Sequence, residues 1–294
     1  MIAMKKAGYI PEGERFFNFE DSRKLKESFL VACRVFEDFQ FIMLPTIENY
    51  QPEYYEGFGV EPFITGTTGR GEVLCLRSDW TVSLVRYLSG LRKLDLPKKV
   101  FYWGAVFSPS GSFERFQTGV EILGISHITA EAQVITKLVQ YLKEMGIKEM
   151  VVSVGHTGIV RKLTETYGTD VKERLMIKDF SLTQRAPIFR ELLTSEGTVQ
   201  HLYKMKEVCP EWETEIGELL QLQSLLEGVP VCFDLTEVRR QDYYTGIVFE
   251  IFHPSAGSPV AGGGRYDRLF RKDHRYVPAV GGAVYLDILL DLVV

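Results

Sequence analysis

Hydrophobic residues recur at steps of three and four positions in two stretches of the chain, 21–39 and 129–146. The first set is Leu25, Phe29, Ala32, Val35, Phe36 and Phe39, and the second is Ala132, Ile135, Leu138, Val139 and Leu142. This spacing places each set on one face of an amphipathic α-helix. Asp21 or Ser22 is the expected N-cap of the first helix, and Gly146 is the expected end of the second.

The segments between these two helices have extended patterns. The apolar run FIMLPTIENY is interrupted by Pro45, so it predicts a strand that ends, or lies at a sheet edge, near that proline. Residues 63–77 predict two extended arms around the turn TGTTGRGE. Ser78 is the expected cap of a helix that stops before Gly90. KVFYWGAVFS and FERFQTGVEILG predict two further strands joined by the polar loop SPSGS.

The second half of the chain has a long helical stretch between extended segments. MVVSVG predicts a strand, and residues 157–228 have a strongly helical pattern rich in Leu, Glu and Lys. PVCFDLT and DYYTGIVFEIF then predict strands, and VPAVGGAVYLDILLDLV predicts a strand followed by a helix. Because these elements do not repeat as βαβ units, we expect an α+β fold. We expect one domain over residues 1–294, with residues 157–228 as a helical insert within it.

Composition and charge are typical of a globular protein and narrow the functional classes. The 294 residues are 45% hydrophobic and carry a formal net charge of −5, which disfavours nucleic-acid binding as the main task. No uncharged apolar run reaches about 18 residues, so no membrane span is expected. The 4 cysteines form no CxxC pair and the 5 histidines lack ligand spacing. We therefore expect reduced thiols, a cytoplasmic location, and neither a metal nor a cofactor.

Two short segments place polar side chains where a ligand could reach them. In LRSDWT, Asp79 and Thr81 lie where a strand gives way to a helix. The Asp79 carboxylate either binds a cationic amine or only complements the helix dipole. In FQTGVEILG, Gln117 and Glu121 are four residues apart and therefore face the same side of a strand. They either line one pocket, where a buried Glu121 would need a partner, or lie on a solvated sheet face.

Residues 237–252, EVRRQDYYTGIVFEIF, combine arginines with two adjacent tyrosines. Arginine binds carboxylates and phosphates through two parallel hydrogen bonds. Neighbouring residues of a strand face opposite sides, so only one of Tyr243 and Tyr244 is expected in a given pocket. The alternative for this segment is a hairpin with a salt bridge. The run AGGGRYDRL, residues 261–269, matches neither a P-loop nor a dinucleotide fingerprint. Its three glycines either let the backbone approach a ligand or another strand closely, or form a turn, which is the commoner case.

These candidate residues together suit a zwitterionic small molecule. Carboxylates would bind its amine, arginine its carboxylate, and tyrosine and glutamate a polar side chain. No GxSxG motif and no local cysteine–histidine pair predicts a nucleophilic catalyst.

In their order along the chain, these segments resemble the catalytic domain of class II histidyl-tRNA synthetases, from about Pro11 to the C-terminus. DYYTGIVFE and GGGRYD are similar to that family's two histidine-recognition signatures. IMLPTIEN resembles class II motif 1, with Pro45 as its proline, VFYWGAVFSPSGSFERFQTGVEILG resembles motif 2, and AVGGAVYLDILL resembles motif 3. The resemblance implies a sheet of about six antiparallel strands flanked by helices, and a dimer formed through motif 1.

The resemblance also implies a histidine-binding site. Asp79, where the family has glutamate, would hold the α-amine of histidine, and Glu121 with Tyr244 would bind the imidazole. Arg239 would lie near the ligand carboxylate, and Arg240 beside it leaves a second register open. The residues carried over to this site are Asp79, Thr81, Gln117, Glu121, Arg239, Tyr243, Tyr244 and Tyr266.

The ATP-binding machinery of the synthetases does not carry over. Ser108 follows Phe107 where motif 2 has an arginine, the basic loop is shortened to SPSGS, and Ile288 stands at the motif 3 arginine. Fixed cations supply most of the transition-state stabilisation in adenylate formation, so the loss of two should lower the rate by many orders of magnitude. The chain ends after motif 3, so no anticodon-binding domain is expected.

This combination is similar to the family of ATP phosphoribosyltransferase regulatory subunits, synthetase-like proteins of histidine biosynthesis. The resemblance implies a non-catalytic protein that binds L-histidine, activates a short-form ATP phosphoribosyltransferase catalytic subunit and makes it sensitive to histidine, in a hetero-octamer without nucleic acid or membrane. One alternative is a truncated histidyl-tRNA synthetase-like enzyme that forms an aminoacyl-adenylate. The other is a structural partner with a vestigial pocket.

Overall fold

The computed structural model describes residues 14–15 and 17–293, and an eight-stranded sheet lies at its centre. The strands are β1 (Gln40–Phe41), β2 (Ile47–Asn49), β3 (Phe63–Thr67), β4 (Val73–Leu76), β5 (Lys98–Phe107), β6 (Glu114–Leu123), β7 (Val151–His156), β8 (Val231–Phe233), β9 (Ile247–Phe252), β10 (Ala261–Arg265), β11 (Arg271–Lys272), β12 (Arg275–Tyr276) and β13 (Ala279–Tyr285). The helices are α1 (Phe19–Val35), α2 (Trp80–Gly90), α3 (Thr129–Glu144), α4 (Thr157–Tyr167), α5 (Val171–Met176), α6 (Pro187–Leu193), α7 (Val199–Val208), α8 (Glu213–Leu225) and α9 (Leu286–Leu292).

The central sheet has the strand order β1-β5-β6-β13-β10-β9-β7-β8. The six strands from β5 to β7 pair antiparallel throughout, which confirms the predicted α+β fold with its antiparallel sheet. The two edge strands, β1 and β8, pair parallel to their neighbours. They are only two and three residues long, so their direction of pairing leaves no periodic signal in the sequence.

The glycine run is the central strand β10, so the turn was the wrong alternative and close approach to another strand was the correct one. A Cβ on Gly263 would lie 2.1 Å from the carbonyl oxygen of Gly281 and 2.5 Å from the Cα of Gly282 on the neighbouring strand. The absence of side chains therefore permits the close approach of β10 to β13. Glycine here reflects packing between strands rather than a change of chain direction.

The predicted starts of two helices were also wrong by a few residues. Asn18 caps α1, and its side chain accepts hydrogen bonds from the backbone N–H groups of Glu20 and Asp21. Asp79 caps α2, whereas the Ser78 hydroxyl donates to the carbonyl of Leu76. The first turn of α1 faces solvent and therefore does not contribute to the hydrophobic periodicity. For this reason the periodicity predicts that the helix exists but does not fix its first residue.

Residues 157–228 form the five helices α4 to α8 and contain no strand, as their pattern predicted. Their apolar side chains belong to the same core as the sheet and α3. Buried members from the insert include Phe189, Leu202 and Leu219, and buried members from the sheet include Phe249 and Ile122. This shared core fixes the end of α5 beside the central sheet.

Candidate ligand-binding site

A cavity of about 840 Å³ lies against one face of the central sheet and is bounded by the C-terminal end of α5. Its volume is within the range of small-molecule sites, roughly 300–1,000 Å³. Seven of the eight predicted site residues line it, and the eighth, Glu121, contacts two of them from behind the wall. The seven are Asp79, Thr81, Gln117, Arg239, Tyr243, Tyr244 and Tyr266.

Asp79 both caps helix α2 and borders the cavity. Its Oδ1 accepts a hydrogen bond from the backbone N–H of Val82 at 2.8 Å, and its Oδ2 accepts one from the Tyr243 hydroxyl at 3.2 Å. Burial raises the pKa of this carboxyl despite these hydrogen bonds. The helix-capping interpretation is thus correct, and it leaves the carboxylate placed to meet a cationic group from the cavity.

Glu121 of β6 is 1% exposed and is satisfied by two hydroxyl groups. Thr81 donates to its Oε1 at 2.9 Å and Tyr266 donates to its Oε2 at 2.6 Å, so the alternative of a solvated sheet face is wrong for this residue. A Cβ on the opposite residue, Gly281, would lie only 1.6 Å from Oε2. Desolvation raises the pKa of Glu121 to about 8, so the group can donate or accept a proton near neutral pH.

Tyr243 and Tyr244 both face the cavity, and the prediction that only one of them would do so was wrong. They lie in an irregular turn before β9, which begins at Ile247, so strand alternation does not apply to them. Their ring centroids are 4.7 Å apart, and Tyr266 packs edge-to-face against Tyr243 at 6.0 Å. The three rings give this end of the cavity an aromatic wall with hydroxyl groups at its polar side.

Arg239 is the buried arginine of the pair, while Arg240 is exposed at the cavity border. The Arg239 guanidinium forms an ion pair with Glu250 and lies 5.8 Å from the Tyr244 ring. The salt bridge foreseen as an alternative for this segment is therefore present. The Nε of Arg239 has no hydrogen-bond partner among the described residues. Because Arg239 lines the cavity, its guanidinium is a suitable partner for a ligand carboxylate.

Ser108 and Ile288 occupy the two positions where the synthetases have ATP-clamping arginines. Ile288 lines the cavity, and the Ser108 hydroxyl donates to the carbonyl of Ser110 at 2.9 Å. The preceding acid, Asp287, accepts a hydrogen bond from the backbone N–H of Phe116 at 2.7 Å. Among the cationic residues that line the cavity, the one closest in sequence to Ser108 is Arg115, an exposed residue of β6. Neither replacement residue can place a charge on a phosphate.

Sequence reasoning assigned no part to Arg77 or Trp80, which hold the start of α2. Arg77 is 3% exposed and donates to the backbone carbonyls of Leu44, Pro45 and Ala105. Its guanidinium lies 3.6 Å from the centre of the Trp80 ring, and desolvation lowers its pKa to about 10. A buried arginine that binds only carbonyls leaves no trace in hydrophobic periodicity, so it could not be found from the pattern.

Four further cavity residues were also missed. Glu250 could have been noticed as a carboxylate inside the apolar strand IVFEIF, and Glu237 begins the arginine-containing segment. Lys178 and Tyr285 reach the cavity from the helical insert and from the end of β13. Only the tertiary arrangement brings these two to the site, so no local signal marks them.

The chain was compared with known proteins. Residues 18–289 match the model of the histidyl-tRNA synthetase family. The ATP phosphoribosyltransferase regulatory subunit of Aquifex aeolicus (strain VF5) is 39% identical over 297 residues, covering 95% of this chain and 75% of that protein.

Two solved structures have similar folds. The ATP phosphoribosyltransferase regulatory subunit/histidyl-tRNA synthetase from Bacillus halodurans C superposes with a TM-score of 0.85 at 25% identity, covering 99% of this chain and 84% of that one. The ATP phosphoribosyl transferase (HisG:HisZ) complex from Thermotoga maritima contains a chain with a TM-score of 0.71 at 21% identity, covering 91% of this chain and 98% of that one.

The sheet, the cavity and the match over residues 18–289 define a member of the histidyl-tRNA synthetase family with the class II synthetase fold, as predicted. Within that family, the chain belongs to the ATP phosphoribosyltransferase regulatory subunits. The family resemblance inferred from DYYTGIVFE and GGGRYD is thereby confirmed. No helix in the described part of the chain is long and apolar enough to cross a membrane.

Proposed function

We propose that the chain is a non-catalytic subunit that activates a short-form ATP phosphoribosyltransferase catalytic subunit and makes it sensitive to L-histidine. The observation that carries this proposal is that Asp79 and Arg239 line one cavity, with Glu121 directly behind Thr81 and Tyr266 in its wall. L-Histidine presents an ammonium, a carboxylate and an imidazole, and the cavity offers a partner for each. The Thermotoga complex supports assembly with a catalytic subunit.

Each predicted residue has a part in the proposed histidine complex. Asp79 binds the α-ammonium group with help from Thr81 and Gln117, and the Arg239 guanidinium binds the carboxylate. Glu121 exchanges a hydrogen bond with the imidazole, since its carboxyl is available in either protonation state near neutral pH. The tyrosine side chains that pack around the imidazole are Tyr243, Tyr244 and Tyr266.

Feedback by histidine follows from linkage between its binding and the state of the complex. Histidine must bind one quaternary state more tightly than the other, because equal affinity for both shifts no equilibrium. A coupling free energy of about 1–3 kcal/mol would be typical. By reciprocity, the substrates of the catalytic subunit should weaken histidine binding. We expect the assembly to be a hetero-octamer in the cytoplasm, where the four free cysteines would stay reduced.

The test is a calorimetric titration of L-histidine into the protein with and without Mg-ATP. We expect binding that ATP does not change, and Asp79→Asn should weaken it at least tenfold, about 1.4 kcal/mol. Asparagine also caps helices well, so this variant should keep its fold. Asp95→Asn, an exposed substitution with the same charge change, should bind as the unmodified protein does.

Two activity assays separate the alternatives. Histidine-dependent exchange of pyrophosphate into ATP would identify an aminoacyl-adenylate-forming enzyme instead. In the complex assembled with a short-form catalytic subunit, histidine should inhibit phosphoribosyl transfer, and Asp79→Asn should assemble and activate but resist inhibition. A complex whose activity ignores saturating histidine would overturn the proposal and leave a structural partner with a vestigial pocket.

A further inference from the structure

The cavity extends past Arg239 to a second end that the proposed histidine site does not use. Side chains from four separate parts of the fold border it, namely β7, β9, the segment after β8, and the end of α5. The polar residues there are Ser153, Lys178, Asp234, Glu237 and Glu250. Three of the five are acids, so this end differs in charge from a phosphate-binding site.

Glu237 is the acid of this group that has no partner. It is 8% exposed, and its carboxylate forms no hydrogen bond or ion pair with any residue of the described ranges 14–15 and 17–293. The other two acids are satisfied, since Asp234 accepts from the Lys178 ammonium at 2.6 Å and from the Thr236 hydroxyl at 2.6 Å, and Glu250 pairs with Arg239. A side chain that is nine-tenths buried and presents an unpaired carboxylate to a cavity indicates a site for a missing group.

The backbone holds Glu237 in this position. A Cβ on Gly155 of β7 would lie 2.4 Å from the Glu237 Cβ and 2.6 Å from the carbonyl oxygen of Asp234. The glycine therefore lets the segment after β8 lie directly against β7, and it fixes where the Glu237 side chain starts. The position is determined by packing and not by a flexible loop.

The local charges show which group is missing. With Glu237 ionised, the three carboxylates of this end have two cations acting on them, the Arg239 guanidinium and the Lys178 ammonium, and one negative charge is left over. No set of three or more histidine, cysteine, aspartate or glutamate side chains in the described part of the chain is arranged to hold a metal ion. A single organic cation would balance the remaining charge.

We propose that this end of the cavity binds the protonated amine or guanidine group of a small molecule, with Glu237 as its counter-ion. We call it the Glu237 subsite, formed by Ser153, Lys178, Asp234, Glu237 and Glu250. The proposal goes beyond the histidine site and holds whether or not histidine occupies the other end, since Asp79 and Glu121 are not part of it.

Binding at this subsite should depend on pH. Desolvation together with the charges of Glu250 and Asp234 raises the pKa of Glu237 to about 7, so the carboxyl is mostly protonated at pH 6 and mostly ionised at pH 8. A cation binds the ionised form, and its apparent affinity should rise about tenfold over that interval. The ionisable groups that face Glu237 are Lys178, Cys232, Asp234, Arg239 and Glu250.

The experiment titrates the full chain with butylguanidine and with butylurea, a neutral molecule of nearly the same shape. We expect butylguanidine to bind at least tenfold more tightly, with the pH dependence above. Glu237→Gln should weaken butylguanidine binding at least tenfold and remove its rise with pH. Glu227→Gln, the same change at an exposed position, should alter neither. The pH profile of the unmodified protein tests the proposal even if the Glu237 variant were to fold poorly.

The inference would be overturned by equal binding of the two probes, by a pH-independent affinity for butylguanidine, or by unchanged binding in Glu237→Gln. A loss of butylguanidine binding in Asp79→Asn would also overturn it, because the probe would then occupy the proposed histidine site. Histidine titrations of the same variants keep the two proposals apart. Glu237→Gln should bind L-histidine normally, and a protein without histidine affinity could still bind butylguanidine.

Discussion

Glu121 and Glu237 are buried carboxyl groups that share one feature, the absence of a directly bonded cation in the described part of the chain. Glu121 is held by the hydroxyl groups of Thr81 and Tyr266, and Glu237 borders the cavity without a partner. Burial raises the pKa of Glu121 to about 8 and that of Glu237 to about 7. The native protein therefore holds protons that the unfolded chain releases, and both groups lower its stability above neutral pH.

The free energy of unfolding should accordingly fall as pH rises from about 5 to about 8. An ordinary glutamate has a pKa near 4.5, so the folded state binds more protons than the unfolded state throughout this interval, and stability declines as they leave. Glu121→Gln should make the decline shallower, by about 1–3 kcal/mol between pH 5 and pH 8, and leave the part due to Glu237. Urea unfolding at several pH values measures this. A slope unchanged by Glu121→Gln would contradict the assigned pKa, and Glu227→Gln serves as the exposed control.

At the scale of elements, strand pairing and the site depend on the same glycines. Gly281 of β13 lies opposite Glu121 of β6, and its missing side chain leaves the room that the carboxylate occupies. On the other side of β13, Gly263 of β10 pairs with Gly282. These strands therefore approach closely where the site needs space, and a methyl group at Gly281 would have to displace Glu121 or separate the strands.

Gly281→Ala should destabilise the protein by about 3 kcal/mol or more and abolish histidine binding, because the displaced Glu121 would lose its hydrogen bonds to Thr81 and Tyr266. Gly217→Ala is the matched control. Gly217 lies within α8 with open space around its Cα, so alanine there should leave stability unchanged or raise it slightly. Chemical unfolding and histidine titration of both variants give the comparison. Equal stability of the two variants would refute the steric argument.

Most helices and strands could be predicted from the sequence because their periodicity is local. Turn geometry and tertiary contacts could not. The pattern placed Gln117 and Glu121 on one strand face correctly, yet it put Tyr243 and Tyr244 on opposite sides because it assumed a regular strand. The glycines of β10 left a turn and a close approach to another strand both open, because the strand that requires them lies more than fifteen residues away along the chain. Lys178 reaches the cavity only through the folded insert.

At the scale of the whole molecule, the segment that resembles motif 1 is joined physically to the site. Arg77 donates to the carbonyls of Leu44 and Pro45 and lies over Trp80, the first residue of α2, whose N-cap is Asp79. One buried guanidinium therefore joins this segment to the start of α2, at the end of the cavity where we propose that histidine binds.

The same segment should form the interface of a homodimer. Phe41, Met43 and Ile47 are 39%, 65% and 58% exposed, although all three are large and apolar. These three side chains lie within seven residues of one another, and a two-fold interface at this segment would bury the copies from both protomers. We therefore expect the isolated protein to be dimeric.

Met43→Glu should weaken this dimer at least a hundredfold, about 2.7 kcal/mol, since each two-fold interface would then bury two unpaired carboxylates. Val208→Glu introduces the same charge at a position on α7 that is 55% exposed and distant in sequence from the segment, and it should leave the dimer unchanged. Sedimentation equilibrium over a range of protein concentrations measures both constants. An unmodified protein that stays monomeric, or a Met43→Glu variant that dimerises normally, would contradict a dimer interface at this segment.

If dimerisation also supports the position of Arg77, the histidine affinity of the Met43→Glu variant should fall as its dimer dissociates.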